Sequence, residues 1–105
     1  MTCFLIAMKF YESKRWKRKR EAILRRDKYQ CQESKRYGRI IQADTVHHIF
    51  PREHYPEYEW CDWNLISLAG PVHNEMHDRL THELTPKGMA LLRRTAKRRG
   101  ITLPN

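Results

Sequence analysis

All six histidines of this 105-residue chain fall between positions 47 and 82, in the one stretch where acids outnumber bases. From Asp44 to Glu83 there are eight acidic residues against Arg52 and Arg79. Residues 9–39 carry thirteen basic side chains against four acids, and residues 87–99 carry six against none. A histidine-rich acidic centre between two cationic arms is the arrangement expected when the centre holds a metal and the arms hold a polyanion. The net charge of +9 ranks nucleic acid first among such partners and a membrane surface second. Hydrophobic residues make up 40% of the chain, too many for a disordered basic tail.

The cysteines, Cys3, Cys31 and Cys61, are odd in number and include no close pair, which excludes a disulfide framework and points to a reducing cytoplasm. The apolar run from Cys3 to Met8 is far shorter than a membrane span and has no basic residues before it, so no targeting segment and no membrane association are read. No repeat and no Gly/Ser- or Pro-rich linker divides the chain, and its length suits one domain.

Local patterns predict the elements. Trp16, Ile23 and Leu24 recur at helical spacing among basic residues, predicting a helix from just after Ser13 to about Arg26. The β-branched stretch Arg39 to Phe50 reads as one or two short strands, Pro51 and Pro56 bracket a loop, and Asn64 to Leu68 reads as another short strand. A helix is predicted from His73 to about His82. A last one is marked by Thr85 as N-cap, Pro86 at the first helical position, a run to Arg99 and Gly100 beyond its end. On a helix, His73 and His77 would lie one turn apart on one face and could share a metal. On a strand, the adjacent His47 and His48 would point to opposite sides, so one can join the metal while the other reaches a different part of the site.

The segments Ser13-Lys14-Arg15-Trp16, Ala22-Ile23-Leu24-Arg25-Arg26-Asp27, His47-His48, Asn64-Leu65-Ile66-Ser67-Leu68 and His73-Asn74-Glu75-Met76-His77 together resemble the HNH endonucleases, in particular small bacteriophage and prophage members. The resemblance implies an α+β fold: a ββα-metal core (HNH, or His-Me finger) with flanking N-terminal and C-terminal helices. The chain 1–105 would then be a single nuclease domain. Residues 1–9 would be a frayed extension, 10–30 a basic N-terminal helix region, 39–82 the ββα-metal core and 85–100 a basic C-terminal helix. The implied activity is hydrolysis of phosphodiester bonds in double-stranded DNA, leaving 5′-phosphate and 3′-hydroxyl ends, in the cytoplasm of a bacterial host. A phage terminase or other packaging protein is the implied partner.

Carried over residue by residue, the resemblance makes His48 the general base, a role that suits imidazole because its ordinary pKa lies near neutrality. His47, His73 and His77 become the ligands of one divalent ion (Mg, Mn, Ni or Zn), and Asn64 the residue that holds strand and loop so that His48 faces the phosphate. Three histidines leave coordination positions open for water and phosphate. His54 and His82 lie outside this spacing and read as loop or helix-end residues, and Trp16, Trp60 and Trp63 as core. The runs Lys14 to Arg20 and Arg93 to Arg99 read as a non-specific grip on phosphates.

The chain departs from relatives that carry a second, structural zinc on two CxxC pairs. The corresponding stretches here are Cys31-Gln32-Glu33-Ser34 and Ala69-Gly70-Pro71-Val72, so three of four thiolates are missing and no structural zinc held by four cysteines is expected. A hydrophobic plug of Ala69 and Val72 with Trp60, Trp63, Ile66 and Leu68 is expected instead.

Overall fold

The computed structural model describes residues 9–104. Of the frayed extension expected over residues 1–9, residues 1–8 lie outside the described residues, whereas Lys9 opens a turn of helix over residues 9–12. Ser13 then breaks the chain direction. Its hydroxyl donates to the Phe10 carbonyl at 2.7 Å and accepts from the Trp16 N–H at 3.1 Å, which caps helix α1, Lys14–Arg26. Two consecutive left-handed residues, Lys28 and Tyr29, turn the chain into the short helix α2, Gln32–Arg36. Strands β1, Thr45–His48, and β2, Leu65–Leu68, pair antiparallel, with His47 opposite Ile66 and His48 opposite Leu65. Helix α3, Gly70–Asn74, follows at once, and α4, Pro86–Arg99, closes the described chain. None of these helices is long and apolar enough to cross a membrane.

The two faces of the β1–β2 pair bury different cores. Val46 and Leu65, on one face, pack with Trp16, Ile23 and Leu24 of α1. Leu68 and Ile66, on the other, join Ile49, Phe50, Met76 and the α4 residues Leu91, Leu92 and Ala96. The end of α1 is stitched to β2 by polar contacts: Asp27 accepts the Ser67 N–H at 3.0 Å, and Arg26 donates to the Leu65 carbonyl at 2.6 Å and the Asp62 carbonyl at 2.8 Å. Arg26 thus serves the fold, as does Arg94, which ties α4 to the buried Glu33 of α2 at 3.0 Å.

Two predicted elements differ. Of the one or two short strands expected within Arg39 to Phe50, one forms, Thr45–His48, because β2 offers only four partners; Ile40 and Ile41 are exposed despite their β-branching. The helix expected from His73 to about His82 instead spans Gly70–Asn74. Pro71 starts it early. At its end, the Glu75 and Met76 N–H groups bond three residues back and tighten the turn. Asp78 then accepts the Leu80 and Thr81 N–H groups at 2.8 and 2.9 Å, an Asx turn that competes with helix. The chain doubles back so that His77 pairs with Leu84 across an isolated bridge.

The zinc-pair positions are filled by packing. Cys31 is fully buried in one cluster with Leu68 and Ala69, and Val72, Trp63 and Ile66 pack against it; Trp60 belongs instead to the α1 cluster.

Gly88 sets the approach of α4 to the metal-side segment. A Cβ there would be driven into the Met76 carbonyl oxygen and come within 2.9 Å of the Leu84 side chain. Gly88→Ala is expected to destabilise by roughly 1–3 kcal/mol from overpacking, outweighing the gain of about 1 kcal/mol that alanine brings to a helix. Because Met76 directly precedes His77, metal affinity should fall with it. Thermal melts with and without Mn²⁺ check both; a more stable variant would show that α4 is free to shift.

Candidate active site

Consecutive strand residues face opposite ways, and this separates the adjacent histidines. His47 points to the α3 side, where its ring lies 5.2 Å from those of both His73 and His77, which are 5.5 Å from each other. The three offer nitrogens that all lie within 4.8 Å of one another. His73 comes from α3 and His77 from the bridge beyond it, so the rings converge although no single helix carries both. His77 Nδ1 lies 3.2 Å from the His82 carbonyl. Donation there leaves Nε2 as the lone-pair nitrogen for a metal.

His47 is 1% exposed, yet neither of its ring nitrogens has a hydrogen-bond partner among the described residues. Burying an unpaired polar group is costly, and a ligated cation is what this donor set fits. Burial, followed by the proximity of His73, His77 and His48, holds the His47 pKa well below the ordinary histidine range. Burial and His77 also lower that of His73, against the pull of Asp44. A neutral imidazole is the form that binds metal, and the lowered values at His47 and His73 favour it.

His48 faces α1. Its ring stacks on Trp16 at 5.2 Å, and Nε2 lies 3.1 Å from the Glu59 carbonyl. That carbonyl can only accept, so Nε2 carries the proton and Nδ1 the lone pair. Burial pushes the His48 pKa down to about 4, with the Arg52 guanidinium adding to the effect and the Glu59 bond opposing it. Asn64 is fully buried behind the two strands. Its side chain accepts the Phe50 N–H at 2.7 Å and donates to the Phe50 and Tyr58 carbonyls at 3.2 and 3.1 Å, joining the end of β1 to the loop that carries Glu59.

The four histidines open onto one cleft of about 1420 Å³ along β1. Its lining includes Arg20, Arg52 and Arg93, together with Tyr11. Sequence reading assigned none of these individually. Arg20 and Arg93 lay within the basic runs, but Tyr11 and the Glu59 carbonyl carry no motif signal. His54 and His82 line the cleft without joining the three-histidine cluster.

The lowered pKa values have a consequence for stability. A histidine that protonates near 4 when folded and near 6.5 when unfolded binds more protons in the unfolded state between those values. Its stabilisation is therefore present above pH 6.5 and lost as pH falls toward 4. For His48 alone this amounts to roughly 3 kcal/mol, and His47 and His73 act in the same direction. Metal-free protein should show a Tm falling steeply from pH 6.5 to 4, with a shallower slope in His48→Gln; a flat profile would contradict the burial argument.

No protein-family model matches the chain, and no curated protein matches it either. Among solved structures, the chain is similar to the HNH endonuclease of the deep-sea thermophilic bacteriophage GVE2, crystallised with a manganese ion. The TM-score is 0.63 and the identity 36%, over 67% of this chain and 76% of that one. The fold is accordingly α+β and of the ββα-metal type, β1 and β2 supplying the strands and α3 the helix, with α1 and α4 flanking them. Identity at that level over three quarters of the phage enzyme reflects common descent, and the chain belongs to the HNH endonuclease family.

Proposed function

We propose that this protein is a metal-dependent DNA endonuclease, with His47, His73 and His77 as the ligands, His48 as the general base and Asn64 as the residue that holds the base in place. The observation that carries the reading is the partition at β1: one histidine buried with both nitrogens unpartnered among the described residues beside two more, and the next histidine on the opposite face with Nε2 engaged and Nδ1 left as its acceptor. The crystallised phage relative holds manganese, which supports a divalent ion as the occupant. Such an ion, when bound, neutralises the scissile phosphate and stabilises the leaving 3′ oxygen.

The chain's own residues do the rest. His48 is neutral at physiological pH, so Nδ1 is ready to take a proton from a water aligned with the phosphorus. The Glu59 carbonyl fixes the tautomer, and Trp16 fixes the plane of the ring. Asn64 keeps the Glu59 loop at its distance from β1. Arg20 and Arg93 line the cleft where backbone phosphates would lie.

The test is supercoiled plasmid incubated with chelator-stripped protein, alone and with Mg²⁺, Mn²⁺, Ni²⁺ or Zn²⁺. Nicked or linear product that needs an added ion and disappears with chelator is the expected result. Tight plasmid binding with no cleavage under any ion would replace this reading with that of a catalytically silent DNA-binding accessory protein.

A further inference from the structure

We propose that Tyr11 is a positioning residue for the attacking water, its hydroxyl and His48 Nδ1 forming the two sides of one water site. The inference deepens the nuclease reading and rests on His48 being the base.

With Nε2 engaged by Glu59, Nδ1 is the acceptor nitrogen of His48, and the group it faces is the Tyr11 hydroxyl, 3.5 Å away. That separation is too long for a strong direct hydrogen bond between hydroxyl and imidazole, whose optimum lies near 2.8 Å. A water seated to one side of the line between them can still bond to both groups at about 2.8 Å, with roughly 80° between the two bonds, tighter than tetrahedral. Both side chains are fixed against the same indole: Trp16 stacks on His48 at 5.2 Å and meets the Tyr11 ring edge-on at 5.3 Å. Phe10 packs edge-on against Tyr11 at 5.1 Å, and the Arg52 guanidinium lies 3.5 Å over Phe10 and 5.4 Å from the Tyr11 ring. The side chain nevertheless lines the cleft and is 43% exposed, so solvent reaches it.

The geometry assigns three of the water's four bonding directions. One hydrogen points to Nδ1, one lone pair accepts the Tyr11 O–H, and the second lone pair is left to attack phosphorus. As the new P–O bond forms from that pair, the proton passes to Nδ1. The 3′ oxygen leaves with the electrons of the broken P–O bond and takes a proton from solvent. Tyr11 keeps its own proton throughout. Burial raises its pKa, so it remains a donor at neutral pH.

Tyr11→Phe keeps the ring and removes only the hydroxyl. In Mn²⁺-supported cleavage of a DNA duplex, kcat is expected to fall about tenfold or more, while KM for DNA, the Tm of the free protein and its rise on adding Mn²⁺ stay at wild-type values. A wild-type or faster kcat would overturn the proposal and identify residues 9–12 as a cover over the base. A fall in kcat accompanied by a lowered Tm would overturn it in favour of a packing role. His48→Ala measured alongside separates the two levels. If His48→Ala is inactive and Tyr11→Phe is unimpaired, only the role of Tyr11 fails. If His48→Ala cleaves at the wild-type rate, the base assignment fails and takes this inference with it.

Discussion

His48→Ala is expected to cleave plasmid about 10²- to 10⁴-fold more slowly than the parent protein while still gaining thermal stability when a divalent ion is added. The size follows from what a positioned general base contributes to proton transfer in the transition state. The retained metal response follows from strand geometry. His47 and His48 are neighbours in the chain, but one ring faces His73 and His77 while the other stacks on Trp16. Removing the second ring leaves the three-nitrogen cluster intact. Some stability is lost as well, because the buried ring leaves a gap beside Trp16 and the Glu59 carbonyl loses its partner. Rate and metal response should therefore part company, measured as initial cleavage rates and as Tm with and without Mn²⁺. A variant that cleaves normally removes the base assignment. One that loses its metal response shows that the two faces of β1 are not independent.

That partition was legible in the sequence, since a His-His pair in a β-branched run implies opposite faces whatever the strand's limits. The meeting of His73 and His77 was also legible, but for a reason that did not hold. A helix through both would have brought them together by its pitch; in the structure α3 ends at Asn74 and the chain returns through the Asp78 turn to pair His77 with Leu84. The spacing of four survived because a tight loop can place the ring as well as a helix can. Burial does not follow helical spacing there either: Met76 is fully buried and Leu80, four positions on, is 90% exposed. The last helix read correctly from its punctuation, with the Thr85 side chain accepting from the Gly88 N–H and Gly100 in the left-handed conformation. Contacts that depend on tertiary approach left no trace in the sequence. The Tyr11 hydroxyl lies 37 residues from His48, and the Glu59 bond comes from backbone, which any residue could have supplied. Charge counting was similarly blind to use, since Arg26 and Arg94 belong to the basic arms yet hold carbonyls and a buried carboxylate of the fold.

The strongest link between stability and function lies at His47. Leucine has nearly the volume of histidine and no polar atoms, so His47→Leu should fill the site between β1 and α3 while removing both unpartnered nitrogens. One unsatisfied buried polar group costs about 1–3 kcal/mol. For a domain of this size, each kcal/mol corresponds to roughly 4–8 °C in Tm. Metal-free His47→Leu should therefore melt several degrees above the metal-free parent, while cleavage falls to background. The parent recovers its deficit only when the ion is present: an ion at a hundred times its dissociation constant adds about 2.7 kcal/mol, and the leucine variant has too few ligands to gain it. Two melting curves for each protein, with and without Mn²⁺, make the comparison. The parent should move and the variant should not, and the metal-free variant should lie above the metal-free parent. A leucine variant less stable than the parent without metal would mean that the His47 nitrogens are satisfied by ordered water, and one that still responds to Mn²⁺ would move the ion away from β1. With either result, the unpaired imidazole would no longer mark where the ion sits, and the buried position of His47 would need a packing explanation instead of a catalytic one.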